Sequence, residues 1–236
     1  MQMLRFSLQR WLAPILFSLV VAVAPLQAAD EQLHYLPAGK PDAVALLTPP
    51  PLPGSPEQAA DLAEVQAVCH AASSNDVAAA FSEKKFSVFN FTPAIGAFFQ
   101  STNLAKTTVF FHKVQKDAAA VADNAKDYFK RPRPFTIDPS LASGQLEKNF
   151  SYPSGHSTES MVLALVLADL FPDKHDAIIA EACAIGWHRV EIARHYQTDI
   201  YAGRVLAQAI VREMKANPDF QRDFAEAKAE VAAAQK

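Results

Sequence analysis

The spacing of apolar residues over most of the chain restricts it to helices. From residue 57 onward, apolar residues recur at intervals of three and four, which places them on one face of a helix; Leu62, Val65 and Val68 are the first example. No stretch alternates apolar and polar residues over the length of a strand. The pattern therefore predicts an all-α fold, built as a single-domain helical bundle. The predicted helical segments after the first are 75–86, 93–101, 103–129, 155–171, 175–187, 189–196, 199–215 and 218–233.

A proline-rich segment precedes these helices. Seven prolines lie between Pro37 and Pro56, including the run Pro49-Pro50-Pro51-Leu52-Pro53. Because proline lacks a backbone N–H and has a fixed φ, the segment is expected to be neither a helix nor a central strand. We expect residues 29–56 to form an extended strap, followed by a helical domain over residues 57–236.

The first 28 residues are typical of a secretory signal peptide. Arg5 and Arg10 precede an apolar run from Trp11 to Ala24, and a small residue, Ala28, ends the segment. The alternative is an N-terminal membrane anchor, but a helix needs about 20 apolar residues to span a bilayer, and Pro14 interrupts this shorter run. We expect cleavage after Ala28 and a mature chain that is periplasmic or secreted, without a transmembrane domain.

Composition excludes several classes of ligand. The chain has 236 residues, half of them hydrophobic, with 22 basic and 25 acidic side chains and a net charge of −3, so no positive field attracts nucleic acid. Its seven glycines are too dispersed for a phosphate-binding loop or a dinucleotide fingerprint. Cys69 and Cys183 could form one disulfide in an oxidising compartment or remain buried thiols, and two distant thiols do not form a metal site.

A basic stretch runs from Lys126 to Pro134. Four cations lie within eight residues, and the prolines at its end stop a helix. Arg133 could bind an oxyanion bidentately and Lys126 could add a compact positive charge. The stretch could equally be a solvated basic turn at a helix C-terminus, where cations favour the helix dipole.

A second stretch, Tyr152 to Thr158, lies directly before an apolar helical segment. Ser154 could cap that helix, which would leave the backbone N–H groups of Gly155 and His156 free to bind an anion. His156 would then lie in the first turn, beside the anion. The alternative is an ordinary capped helix start with an incidental histidine.

The third stretch contains Arg189, His195 and Asp199. His195 and Asp199 are four residues apart, close enough for the carboxylate to hold one imidazole nitrogen and leave the other free. This arrangement orients an imidazole for nucleophilic attack, and Arg189 adds an oxyanion donor. Such histidine–aspartate pairs on helices are also commonly structural.

In this order the three stretches resemble the tripartite signature of the type 2 phosphatidic acid phosphatase superfamily, which includes the vanadium haloperoxidases. The signature elements are lysine, six residues and Arg-Pro; then Pro-Ser-Gly-His; then arginine, five residues, histidine, three residues and aspartate. With its leader, size and strap, the chain is most similar to bacterial class A nonspecific acid phosphatases. The resemblance implies the helical bundle of that superfamily, with residues 57–236 as the acid phosphatase domain.

The resemblance also implies a mechanism. The enzyme would hydrolyse small phosphomonoesters through a phosphohistidine, without metal or cofactor, and inorganic phosphate or vanadate would inhibit it. His195 would attack phosphorus, Asp199 would fix its tautomer, and His156 would protonate the leaving alcohol. The phosphate oxygens would be bound by Lys126, Arg133, Ser154, Gly155 and Arg189.

One position departs from the signature, and several alternatives stay open. His188 stands where the family usually has serine, so it could replace that donor or change the pH optimum and the substrate. Other functions are a soluble lipid-phosphate phosphatase, a vanadium-dependent haloperoxidase or a non-enzymatic phosphate-binding protein. Segments 86–99 and 137–149 are candidates for substrate specificity, and the alanine-rich and phenylalanine-rich helices could support a homo-oligomer.

Overall fold

The computed structural model describes residues 33–235, so the expected signal peptide lies outside the described residues. This part of the chain contains ten α-helices and no strand, which confirms the all-α prediction. The helices are α1 (Ala43–Leu46), α2 (Pro56–Ala71), α3 (Ser74–Ser82), α4 (Thr92–Ile95), α5 (Ala105–Phe129), α6 (Pro134–Ile137), α7 (Gly155–Leu170), α8 (His175–Glu191), α9 (Gln197–Lys215) and α10 (Pro218–Ala234). Short 3-10 helices lie at Glu83–Lys85, Val88–Phe91, Pro139–Leu141 and Pro172–Lys174.

Helix α7 is the centre of the bundle and packs against α5, α8 and α9. It is apolar on almost every side, and Val162, Leu163 and Leu167 are fully buried. Such a helix is stable in water only when other helices cover it on all sides. None of the helices within residues 33–235 combines the length and the hydropathy needed to cross a bilayer.

Two glycines bring α8 and α9 close to the N-terminus of α7. A Cβ atom at Gly203 of α9 would lie 2.9 Å from the Ser154 carbonyl oxygen and 3.0 Å from the Ser157 Cβ. A Cβ atom at Gly186 of α8 would lie 3.2 Å from the Ser157 Oγ. Because neither glycine has a side chain, both helices pack directly on the first turn of α7.

The proline-rich segment is irregular over most of its described length but contains one helical turn, α1. The expectation that it holds no helix was therefore wrong. No proline occurs between Pro41 and Pro49, and the Asp42 carboxylate caps this turn by accepting from the N–H groups of Val44 and Ala45. Further upstream, the strap is held on α5 through the buried Asp117 carboxylate, which accepts the N–H groups of His34 and Tyr35 at 2.9 and 2.7 Å.

The predicted helix at 93–101 is largely absent. Only α4 forms, because the chain turns at Gly96, whose φ is +139°. Thr92 Oγ1 then bonds to the carbonyls of Phe89 and Phe99, which closes the loop.

The predicted helix at 189–196 is also wrong. Helix α8 continues through Arg189 to Glu191, and the chain then turns at Ala193, whose φ is +54°. The Arg189 carbonyl accepts the N–H groups of both Arg194 and His195 in this turn. His195 therefore lies on a tight turn before α9 rather than on a helix.

Cys69 and Cys183 are both free thiols. Cys69 packs with Val65 and Val190 in a smaller apolar cluster, whereas Cys183 packs against the main core. The disulfide considered above is thus not formed.

Replacing Gly203 with alanine should destabilise the protein, although alanine is the better helix former. Helix propensity alone would add about 1 kcal/mol of stability, but the new Cβ would contact the Ser154 carbonyl at 2.9 Å, and overpacking typically costs about 1–3 kcal/mol. Urea unfolding should show a net loss of stability. Gln208→Ala, on the exposed face of the same helix, is the control and should be neutral. A more stable Gly203→Ala variant would contradict the close approach of α9 to α7.

Candidate active site

The structure brings the three chemically distinctive stretches together at the N-terminus of α7. Arg133, from the first stretch, places Nη1 3.2 Å from Nε2 of His195, in the third. Ser154, from the second, donates its N–H to the carbonyl of Asp199 at 3.0 Å. Lys126, at the end of α5, lies beside Gly155, where a Cβ atom would be 3.0 Å from its Nζ.

His195 and Asp199 form the pair that their spacing predicts. His195 Nδ1 lies 3.3 Å from Asp199 Oδ2, and both side chains are buried. Because a carboxylate only accepts hydrogen bonds, Nδ1 carries the proton in the neutral ring and Nε2 carries the lone pair. Arg133 Nη1 donates to that lone pair.

Asp199 has three hydrogen-bond partners besides His195. Arg131 Nη1 contacts Oδ1 at 2.6 Å, and Ser151 Oγ and the N–H of Tyr196 donate to Oδ2. Arg131 also forms a 2.6 Å ion pair with Asp61 of α2, and its guanidinium stacks on the Tyr196 ring at 3.8 Å. The carboxylate that orients His195 is therefore fixed on both oxygens.

The electrostatics of the pair keep the carboxylate charged and the imidazole neutral. Burial raises the pKa of Asp199, but the hydrogen bond with His195 and the charge of Arg131 outweigh it, so the pKa lies below its ordinary value. Burial, followed by the charge of Arg133, lowers the pKa of His195 well below its ordinary range. His195 thus carries a lone pair rather than a proton on Nε2, and Arg133 Nη1 donates to it.

Three buried cations contribute positive charge at the two histidines: Arg133 and Lys126 at His195, and these two with Arg189 at His156. Arg133 is almost fully buried and is oriented by Asn149, whose carbonyl and side-chain oxygens accept from Nε at 2.9 Å and from Nη2 at 2.7 Å. Lys126 is also buried, and its Nζ contacts Asp123 at 2.7 Å.

Arg189, the third cation, is oriented by Glu147, which contacts its Nη2 at 2.6 Å. Glu147 also pairs with Nε of Arg194 at 2.7 Å. Burial lowers the pKa of Arg189 to about 10, so it remains charged. Its buried Nε has no hydrogen-bond partner among residues 33–235, and this donor is available to an oxyanion.

The second stretch forms the helix start that the sequence predicts. Ser154 is the N-cap of α7, and its Oγ accepts the N–H of Ser157 at 3.3 Å. Gly155 is the first residue of the helix, where backbone N–H groups have no intrahelical partner. The helix dipole adds partial positive charge at this point.

His156 lies in the first turn of α7 and contacts the 3-10 turn Glu83–Lys85. Its Nε2 is 3.2 Å from the carbonyl oxygen of Glu83. Since a carbonyl only accepts, Nε2 carries the proton and Nδ1 is the nitrogen left to exchange one. Burial, followed by the charge of Arg189, lowers the pKa of His156 to about 3.

His188 joins the site indirectly. Its Nδ1 contacts both carboxylate oxygens of Glu83, at 3.0 and 2.9 Å. This hydrogen bond raises the pKa of His188 above its ordinary value. His188 therefore positions the residue whose carbonyl holds His156.

The comparison with protein families identifies the superfamily of this arrangement. Residues 108–221, which include all three stretches, match the PAP2 superfamily. The chain therefore carries a PAP2 superfamily domain. This agrees with the resemblance drawn from the three motifs.

The relatives of this PAP2 chain include bacterial acid phosphatases. It is 35% identical over 127 residues to the non-specific acid phosphatase of Providencia stuartii, a match that spans 51% of each chain. It is also 28% identical to the acid phosphatase of Zymomonas mobilis over 199 residues, and this match covers 80% of this chain and 75% of that protein. The chain thus aligns with only about half of the Providencia enzyme.

A solved structure supports the fold assignment of the PAP2 chain. The transmembrane PAP2-type phosphatidylglycerolphosphate phosphatase of Bacillus subtilis superposes with a TM-score of 0.52 over 74% of this chain and 89% of that one. The two sequences are 20% identical. The likeness shows that the helical bundle is of the PAP2 kind.

Several residues that build the PAP2 site were not predicted. Arg131 belongs to the basic stretch but had no role assigned to it, and Ser151 lies just before the second stretch. Glu147 and Asn149 contact the site from a loop, where side chains carry no periodic signal, and Glu83 contacts it from the 3-10 turn Glu83–Lys85. The loop that contains Glu147 and Asn149 overlaps segment 137–149, which was expected to set specificity.

The other such segment, 86–99, lies mostly in the core. Phe91 and Phe99 are fully buried, and Phe89 packs against the core. Phe86 alone approaches the site, with its ring centroid 5.4 Å from that of His156. Residues 33–235 contain no group of three or more histidine, cysteine, aspartate or glutamate side chains placed to hold a metal ion.

Proposed function

We propose that this chain is a metal-independent acid phosphatase that hydrolyses phosphomonoesters through a phosphohistidine on His195. One observation carries the proposal: the neutral His195 has its Nδ1 held by Asp199 and its Nε2 lone pair beside Arg133. A nucleophile for phosphorus needs an unprotonated nitrogen next to positive charge, and this ring has both; a bound phosphoryl group would replace Nε2 as the acceptor from Arg133. The acid phosphatases among the relatives support the same reaction class.

In the first step, the Nε2 lone pair of His195 attacks phosphorus while the bond between phosphorus and the ester oxygen breaks. His156 gives the leaving oxygen a proton, so the alcohol departs neutral. In the second step, His156 takes a proton from water, and the water oxygen attacks phosphorus. The P–N bond then breaks, which releases inorganic phosphate and restores His195.

The cations of the site would stabilise the transferring phosphoryl group. Lys126, Arg133 and Arg189 surround His195 and His156, and their charges depress the pKa of one or both rings. The unpartnered Nε of Arg189 and the N–H of Gly155 supply donors that the protein itself does not use. Fixed cations and donors of this kind bind charge that develops in the transition state without reorganisation.

The substrate would also complete the protonation state of the site. His156 is neutral when the site is empty, because burial and Arg189 depress its pKa. A bound phosphate offsets the positive charge of the arginines and therefore raises the pKa of His156. Substrate binding thus favours protonation of His156, the general acid, and acid pH favours the same protonation.

The wild-type protein should hydrolyse p-nitrophenyl phosphate in the presence of a chelator, and vanadate should inhibit it. Vanadate mimics the trigonal-bipyramidal geometry of the phosphoryl group in the transition state. His195→Ala should lose nearly all turnover, because it removes the side chain that would form the covalent intermediate. Loss of wild-type activity on chelation, restored by a divalent metal, would contradict the mechanism.

His156→Ala should lose activity in a manner that depends on the leaving group. Proton transfer typically contributes about 10²–10⁴-fold, but p-nitrophenolate departs with little protonation, whereas glycerol needs the proton. The variant should retain relatively more activity on p-nitrophenyl phosphate than on glycerol phosphate. Quenching it during turnover of the aryl ester should trap an acid-labile phosphoenzyme on His195. Equal losses on both esters, or a label on Ser154, would show that the roles are assigned wrongly.

We also propose that the protein is exported. The support is the order of Arg5, Arg10, the apolar run and Ala28 in the sequence. N-terminal sequencing of protein recovered from the periplasmic fraction should begin at Ala29. An intact Met1 in the membrane fraction would contradict export by cleavage.

A further inference from the structure

A cavity of about 400 Å³ lies beside His156, between α5, α7 and the turn Glu83–Lys85. His156 is one of its lining residues, so a leaving oxygen that takes a proton from His156, as proposed above, would place the leaving group at this cavity. The inference that follows rests on that function. The side chains that line the cavity include Lys84, Lys85, Phe86, His112, Gln115 and Glu159.

Glu159 is the acidic side chain among them, and it lies one turn after His156 on α7. Gln115 Nε2 donates to its Oε2 at 3.0 Å, which fixes the carboxyl group at the cavity wall. A Cβ atom at Gly155 would lie 3.5 Å from Glu159 Oε1 and 3.0 Å from Lys126 Nζ. The carboxyl group is therefore close to both the cavity and the phosphate-binding cation.

The other charged and titratable groups around Glu159 come from three elements. Helix α5 contributes Asp123, Lys126, His112 and Lys116, the 3-10 turn contributes Lys84 and Lys85, and α7 itself contributes His156. Lys126 contacts Asp123 directly, at 2.7 Å. The cavity is thus rich in cations, and the charge of Glu159 opposes them.

The proton on Glu159 is exchangeable in the range where phosphatases are assayed. Burial raises the pKa of Glu159 to about 7, although the Gln115 hydrogen bond and the charge of Lys126 lower it. The group is neutral below that value and anionic above it. The wall of the cavity therefore gains a negative charge as the pH rises.

We propose that Glu159 determines which leaving groups this cavity accepts. With its carboxyl protonated, the lysines of the cavity favour a leaving group that carries an anion of its own. With its carboxylate exposed to the cavity, Glu159 repels such a group but leaves a neutral one almost unaffected. The preference for phosphomonoesters with an anionic leaving group is thus confined to acid pH.

Two esters of similar shape test this proposal, glycerol 3-phosphate and 3-phosphoglycerate. The second carries a carboxylate where the first carries a hydroxymethyl group, and their phosphate groups titrate alike, so the ratio of their kcat/KM values isolates the leaving-group charge. Between pH 5 and pH 8 the wild-type ratio of phosphoglycerate to glycerol phosphate should fall by about tenfold, the effect of one unit charge several ångströms away near a protein surface. Glu159→Gln should hold the ratio at its acid value throughout.

The substitution keeps the local structure, because a glutamine oxygen can still accept from Gln115. Glu159→Ala is a second variant and should also give a constant ratio. Asp169→Asn removes the same charge from the far end of α7, about 15 Å away along the helix, and should behave as the wild type. Thermal unfolding of all three variants confirms that each is folded.

Two outcomes would overturn the proposal. One is a wild-type ratio that does not change with pH although both esters are hydrolysed. The other is a pH-dependent ratio that persists in Glu159→Gln, which would assign the titration to another group such as His112. Failure of the wild type to hydrolyse either ester would instead overturn the proposed function, and this inference with it.

Discussion

The site depends on one buried charge, the carboxylate of Asp199. A carboxylate without exposure to water is costly unless its oxygens are paired, and here Arg131, Ser151 and the N–H of Tyr196 share that task with His195. Arg131 in turn ties Asp199 to Asp61 of α2. Helix α2, the turn before α9 and the basic stretch are therefore held around this anion, and removal of Arg131 would leave the carboxylates of Asp199 and Asp61 in the core without their cation.

The second constraint is the crowded N-terminus of α7. A helix start can present its N–H groups to a ligand only if neighbouring elements approach without covering it. Gly186 and Gly203 allow α8 and α9 to contact the first turn from the side, while Gly155 leaves room for Lys126. The close approach brings Arg189 from α8 and His195 from the turn before α9 to the same end of α7. The N-terminus of α7 is thus both a point of close helix packing and the point where the side chains of the candidate site meet.

Fold class and the main site residues could be predicted because each has a local signal. The apolar spacing of α5, α7 and α9 gives helices, and the His195–Asp199 separation gives a hydrogen-bonded pair. The turn at Ala193 was missed because its apolar residues are buried as a helix face would be. Glu83 and Glu147 were missed for another reason: they contact His188 and Arg189 from a 3-10 turn and a loop that are distant in sequence, and only the tertiary fold sets such contacts.

Burial and the cations that would bind phosphate together set the protonation of the site. Burial, followed by the charge of Arg133 at His195 and of Arg189 at His156, depresses the pKa values of both rings, so both are neutral before substrate arrives. In the proposed mechanism, neutrality suits His195, which would need its lone pair, but not His156, which would need a proton to give. A bound phosphoryl group would remove the conflict, because its charge would offset that of the arginines at His156 while Asp199 continued to hold His195. Two histidines in one electrostatic environment can therefore take opposite roles, and the difference between them is the partner on the second nitrogen: a carboxylate for His195 and a backbone carbonyl for His156.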